Sequence, residues 1–191
     1  INIYPSASLT KNLEGNNMTE FGLLQKKGII GFTDGIKTIQ NSRLMSRIMR
    51  SAFDLGCLIM QHAEDNELSQ NGMMNDGVIA TKLGLQGIPE VAEKIIIERD
   101  LSLLEDFNCR YHISQISSSK SLEVIEKKKD QIDFTTGVSI NNLSLNENDI
   151  GDFRTFLKLS PPLRTEEDRQ SLIRGINKDL IEVLVSDHKP E

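Results

Sequence analysis

Short apolar runs rich in β-branched residues alternate along this chain with longer stretches whose apolar positions recur every three or four residues. Runs of the first kind lie at 3–8, 29–33, 57–61, 110–115, 134–139 and 181–186. Their length and their flanking turn formers predict strands. The stretches between them predict helices with recognisable ends. Thr19 is placed to cap a helix that stops at Gly28, and Ser42 one that stops at Gly56. A hydroxyl accepts the unpaired amides of a first turn, and glycine enters the left-handed C-terminal position without a Cβ clash. Pro89 stands where a helix takes its first residue and opens 90–105. Helices at 118–129 and 165–178 complete the set. In the middle helix Val91, Ile95, Leu101 and Leu104 are expected to share the side that faces the core.

Six strands in strict alternation with helices mean a parallel sheet covered by helices. A doubly wound open sheet and a closed eight-stranded barrel share that pattern. Two features favour the barrel. No glycine-rich phosphate loop follows the first strand, and chemically active residue types stand at the C-terminal ends of several strands, where barrels build their sites. The expected architecture is α/β: a partial (β/α)8 TIM-type barrel over residues 1–191 with parallel strands, outer helices and about six of the eight βα units. The chain starts inside one strand-like run and stops at Glu191 straight after another, which reads as a fragment lacking its first strands and its C-terminal part. Two connections are unusually long, 62–88 and 139–162. Long loops in compact domains are functional or mobile.

Composition narrows the classes of function. With 38% hydrophobic and 26% charged residues the chain is an ordinary soluble one rather than a disordered one. Its 191 residues suffice for one sizeable core. The net charge of −6 repels phosphate backbones, and no Lys/Arg cluster interleaves with aromatics, so a nucleic-acid partner is excluded from the expectation. The run Lys127-Lys128-Lys129 sits beside acidic neighbours and reads as a solvated helix end. No apolar stretch approaches bilayer length and no signal peptide opens the chain. Cys57 and Cys109 each fall where a buried strand starts, as reduced core residues of a cytoplasmic protein do.

The candidate chemistry lies in few residues. The three histidines are His62, His112 and His188, and Asp34 closes the run Gly31-Phe32-Thr33. Imidazoles and carboxylates at strand ends are what a hydrolytic zinc site needs, because the metal brings the pKa of a bound water to near 7 and polarises the scissile carbonyl. Each such residue alone is more often a hydrogen-bonded structural one. Strand alternation sorts them: Leu58, Met60 and His62 share a face, as do Val183, Val185 and Asp187, and these faces are expected to point into the barrel. His112 and Gln115 are three apart and face opposite ways, so one of them points inward.

Longer motifs follow in order: Phe32-Thr33-Asp34-Gly35, His62-Ala63-Glu64-Asp65, Asn71-Gly72-Met73-Met74-Asn75-Asp76-Gly77, and Leu83-Gly84-Leu85-Gln86-Gly87-Ile88-Pro89 with Ala92-Glu93. Downstream stand Arg99-Asp100, Tyr111-His112, Ser160-Pro161-Pro162-Leu163-Arg164 and Ser186-Asp187-His188-Lys189-Pro190. Over almost the whole chain this succession resembles the bacterial dihydroorotases, metal-dependent amidohydrolases that hydrolyse dihydroorotate reversibly to N-carbamoyl-L-aspartate in pyrimidine synthesis. The resemblance implies one or two zinc ions. It makes Asp34 the metal-bridging aspartate, His62 a metal ligand, and Asp187 both a ligand and the catalytic acid and base that moves a proton from water to the leaving amide nitrogen. Ser160 and Glu191 take substrate-contacting positions. The His-x-His metal pair of such enzymes ends a strand that lies before this chain's first.

Departures from the pattern gather at these positions. Gln115 stands where a second metal histidine is usual, and His112 takes the place of the motif's non-ligand histidine. The usual Pro-His-His reads Ile140-Asn141-Asn142, Ser160 replaces an asparagine, Glu191 replaces the closing histidine, and no second aspartate follows Asp34. Two readings stay open. One is a working cyclic amidohydrolase acting on a small-molecule substrate with one metal or an altered centre. The other is a non-catalytic relative that acts as a structural partner of aspartate carbamoyltransferase; the partners expected for the chain are a second copy in a homodimer or that enzyme.

Overall fold

Residues 2–188 are described by the structure, a computed structural model. In chain order the strands are β1 (Ser6–Ala7), β2 (Gly31–Phe32), β3 (Leu58–Gln61), β4 (Met74–Asn75), β5 (Gly87–Ile88), β6 (Arg110–Ile113), β7 (Thr135–Ser139) and β8 (Val183–Val185). The helices are α1 (Phe21–Gln25), α2 (Ser42–Leu55), α3 (Asn66–Ser69), α4 (Val78–Leu83), α5 (Glu90–Phe107), α6 (Ser119–Lys128), α7 (Ile140–Ser144) and α8 (Glu166–Asn177). Six strands form one parallel sheet in the order β1-β2-β3-β6-β7-β8. All six lie inside the expected runs. The sheet curls into a half-barrel with helices on its convex side, as the predicted alternation requires.

The main core fills the space between sheet and helices. From the sheet come Phe32, Ile59, Tyr111, Ile113 and Val138, and from the helices Met45, Ile48, Met49, Ile97, Leu101, Leu104, Ile125 and Leu172. Each fully buried side chain of this size contributes roughly 1.5–3 kcal/mol before entropy is counted. On β3 and β6 the residues touching helices are Gln61, which reaches Asp100 of α5 at 2.9 Å, and Tyr111, whose hydroxyl reaches the same carboxylate at 2.7 Å. Alternation then turns Leu58, Met60 and His112 to the opposite, concave face, with Met60 and His112 in register.

Helix ends differ from the expectation in instructive ways. Asn41, not Ser42, caps α2 by accepting from Leu44 N at 3.1 Å, while Gly56 closes the helix at φ 66° as expected. Thr19 caps nothing: its hydroxyl donates to the Ser8 carbonyl at 2.6 Å, tying the turn after β1, and α1 starts two residues later. Pro89 precedes the first helical residue of α5. In that helix Val91 and Ile95 are 39% and 41% exposed, and the buried stripe runs through Ala92, Glu93, Ile96, Ile97, Asp100, Leu101 and Leu104. The stripe is set by where α2 and α6 pack, which the helical period alone does not reveal. Ser118 and Thr165, expected as the first residues of their helices, cap α6 and α8 instead, Thr165 in a reciprocal box with Asp168.

The long connection after β3 is folded. It contains α3, a two-stranded parallel sheet of β4 and β5, and α4 between them. Met74 and Ala80 pack with Ile150 and Leu163 into a second, smaller core, so this excursion and the segment before α8 stabilise each other. Gly87 is required here, since a Cβ on it would stand 2.3 Å from Asp76 Cα across the small sheet. Among the described residues no helix is long and apolar enough to cross a membrane.

Candidate functional site

Two candidate ligands follow neighbouring strands. Asp34 lies two residues past β2 and is 3% exposed; His62 directly follows β3 and is 4% exposed. Their loops are tied together, because the Thr38 side chain donates through Oγ1 to the His62 carbonyl at 2.7 Å. Both Asp34 oxygens are already engaged by one residue: Thr10 N donates to Oδ1 at 3.0 Å and Thr10 Oγ1 donates to Oδ2. The His62 ring faces Ser160, with Nε2 and Oγ 3.1 Å apart, and lies 3.7 Å from Glu64 Oε2. The expected substrate residue and the expected ligand are therefore in direct contact, 98 positions apart in the chain. Burial pushes the Glu64 carboxyl up, but hydrogen bonds from His62 and Ser69 and the charges of His62 and Arg164 outweigh it and hold the group below the ordinary carboxylate value.

Asp187 stands two residues past β8, the last strand of the sheet, half-buried at φ 47°. Glu191 lies outside the described residues. On β6, His112 takes the concave face, and its Nδ1 meets Thr135 Oγ1 at 2.8 Å. Gln115 lies beyond the paired residues of β6, between Ser114, whose N–H reaches the Gln61 carbonyl, and Ile116, whose N–H reaches that of Gly137. Simple alternation from His112 therefore does not carry to Gln115, and His112 is the one of the two that alternation within β6 turns to the concave face. Among the described residues, no three His, Cys, Asp or Glu side chains gather so as to hold a metal ion. A zinc site needs three or four such donors, so Asp34, His62 and Asp187 do not by themselves make one.

A cavity of about 420 Å3 opens beside Asp34, lined also by Glu14, Asn16, Lys37, Gln40 and Asn41. It sits on the loops that follow β1 and β2, at the C-terminal edge of the sheet. One ammonium, two carboxylates and several amides suit a small polar molecule with hydrogen-bonding edges.

Behind this edge is a buried polar network whose roles the sequence did not disclose. Glu93 accepts from Ser117 N at 3.1 and 3.0 Å and from Ser118 N at 3.2 Å, closing the turn between β6 and α6. Asp100, fully buried, accepts from Arg99 Nη2 at 2.7 Å as well as from Gln61 and Tyr111. Burial pushes its carboxyl up against the pull of these donors. Glu93 and Asp100 are seven apart in α5, one heptad along the buried stripe. Two carboxylates at that spacing are the sequence signal, legible only once the stripe is known. Thr10, the partner of Asp34, carried no signal.

The family model described as dihydro-orotase-like matches residues 1–121. The chain is 38% identical over 192 residues to the dihydroorotase of Ehrlichia canis, covering 100% of this chain and 42% of that one. It is 34% identical over 189 residues to the dihydroorotase of Desulforapulum autotrophicum, covering 98% and 44%. The chain thus spans less than half the length of these curated relatives. The L-hydantoinase (dihydropyrimidinase) from Arthrobacter aurescens superposes with a TM-score of 0.78 at 21% identity, over 96% of this chain and 42% of that one, which establishes the shared barrel fold. With a matching family model over 121 of 191 residues, on the curled parallel sheet that the motifs called for, the chain belongs to the dihydro-orotase-like family.

Proposed function

We propose that this chain forms part of the barrel of a dihydroorotase, a cytoplasmic enzyme that hydrolyses dihydroorotate reversibly to N-carbamoyl-L-aspartate in pyrimidine biosynthesis. The observation that carries the reading is the contact of buried His62 with Ser160 at the C-terminal edge of the sheet, in a chain of this family. In this reading Ser160 and Glu191 contact the substrate. Asp187 takes a proton from the attacking water and returns it to the leaving amide nitrogen. His62 and Asp34 are the chain's donors toward zinc, and a zinc centre would need more donors than these and Asp187 supply. The catalytic reading is favoured over a non-catalytic partner of aspartate carbamoyltransferase because the matched relatives carry the name dihydroorotase. Two free, buried thiols agree with a cytoplasmic setting.

The test is conversion of dihydroorotate by the full-length protein that contains this chain. Replacing Asp187→Asn is expected to lower kcat by about 10²–10⁴-fold, the usual worth of a positioned acid–base group. Equal turnover in the variant, or none in the unaltered protein, overturns the reading.

A further inference from the structure

Arg164 is 3% exposed, yet its three hydrogen bonds go to neutral acceptors. Nε donates to Ser117 Oγ at 3.1 Å, and Nη1 donates to Asn75 Oδ1 at 2.8 Å and to the Ile88 carbonyl at 2.5 Å. Both side-chain acceptors hand on to carboxylates: Asn75 Nδ2 donates to Glu147 Oε2 at 2.6 Å, and Ser117 Oγ donates to Glu93 Oε2 at 2.5 Å. A buried guanidinium without counter-charge is costly. Here two carboxylates reach it through neutral relays, and the charge of a third, Glu64, acts on it across space. The relays also join segments remote in sequence: β4 and β5 of the excursion, the turn after β6, the 3-10 turn Glu147–Ile150, and residue 164 itself, four positions after Ser160.

We propose that Arg164 is a positioning residue of the site, a buried cation that clamps the 72–88 excursion and the Ser160 segment onto the barrel mouth so that Ser160 meets His62. The chemistry selects arginine. Its planar fork reaches three acceptors in fixed directions, whereas a lysine ammonium is a point charge on a flexible stem. Asn75 is equally specified, because its carbonyl must face the guanidinium while its amide faces Glu147. The proposal rests on reading His62 and Ser160 as a site. Every readout is taken without substrate, so its failure is distinguishable from failure of the hydrolase reading.

The test uses the 191-residue chain, unaltered and with Arg164→Lys, followed by amide hydrogen exchange and by NMR of labelled histidine rings. With only three histidines, the ring signals are readily assigned. In the variant, exchange over 72–88 and 146–164 is expected to quicken about tenfold or more, as loss of charge-assisted bonds dictates, with α2 unchanged. The His62 ring signals shift while those of His112 and His188 stay. Asn75→Ser, which leaves the Ser117 and Ile88 bonds, gives the same pattern at smaller amplitude, and combining both changes adds less than the sum of the two. Unmoved His62 signals overturn the proposal, because a merely structural role predicts them. So does exchange that rises uniformly along the chain or nowhere. If Arg164→Lys does not fold, Asn75→Ser decides by the same criteria.

Discussion

At the residue scale the polar interior contains both satisfied and unsatisfied groups, and the difference predicts opposite effects of substitution. Thr136 on β7 is fully buried and its Oγ1 has no hydrogen-bond partner. Thr136→Val removes a desolvated hydroxyl and keeps the β-branched shape. The expected gain is about 1 kcal/mol, read as a higher midpoint in thermal unfolding; a lower midpoint would mean the hydroxyl is paired. His112 illustrates the role of charge. Burial holds its imidazole below the usual 6.5; Glu182 and the Thr135 hydrogen bond pull it up, and Lys129 adds to the lowering. The unfolded chain then takes up a proton at 6.5 that the folded chain does not take up until lower pH. The contribution is therefore fully present above 6.5 and is lost as pH falls below it. The unfolding midpoint should drop more between neutral pH and a pH just under 6.5 in the unaltered chain than in His112→Gln. Parallel slopes in the two would remove His112 from the account. Glu64, whose value is lowered, acts in a separate window below the ordinary carboxylate value of 4.5.

Elements show which sequence signals were sufficient. The six sheet strands stand where the β-branched runs put them, because such residues suit an extended backbone and one face of β3 and β6 is buried against the helices. Helix ends were legible to within a residue or two, and the error at α2 has a measurable consequence. Asn41 holds Leu44 N, and Ser42 is already helical. Asn41→Ala is expected to cost about 1 kcal/mol, and Ser42→Ala to stay within about 0.5 kcal/mol, in denaturant titrations of the two variants. The reverse order would restore Ser42 as the cap. The excursion between β3 and α5 was not legible as folded structure. Its apolar residues are few, and Met74 and Ala80 find their partners in Ile150 and Leu163, more than sixty residues away. Periodicity within a window cannot report a core whose two halves lie in different parts of the chain. The same limit hid the roles of Asn75, Glu93 and Glu147, while Asp34 and His62 were visible because strand ends themselves mark the site.

For the whole molecule, half a barrel presents its C-terminal edge with only part of a donor set. Asp34 and His62 follow adjacent strands, Asp187 follows the far edge strand, and Gln115 stands between them past β6. Zinc held by a protein needs three or four imidazole, thiolate or carboxylate donors converging within about 2.0–2.3 Å, and the described residues bring no such three together. A ligand stabilises a fold by RT ln(1 + [L]/Kd), about 2.7 kcal/mol at a hundred times Kd. Zinc added to this chain alone is therefore expected to leave its unfolding midpoint unchanged, and a chelator likewise. The full-length dihydroorotase proposed above is a different case, since further donors outside this chain would complete the set. There the neutral amide of Gln115 is a poorer partner for zinc than imidazole, so Gln115→His is expected to tighten zinc binding, by about 10–100-fold if the change acts as outer-shell substitutions do. Metal analysis after dialysis against graded chelator measures this directly. A midpoint that rises with zinc in the isolated chain would show that its own donors converge. Two tightly held zinc ions in the unaltered full-length protein, unaffected by Gln115→His, would show that position 115 lies outside the metal's reach.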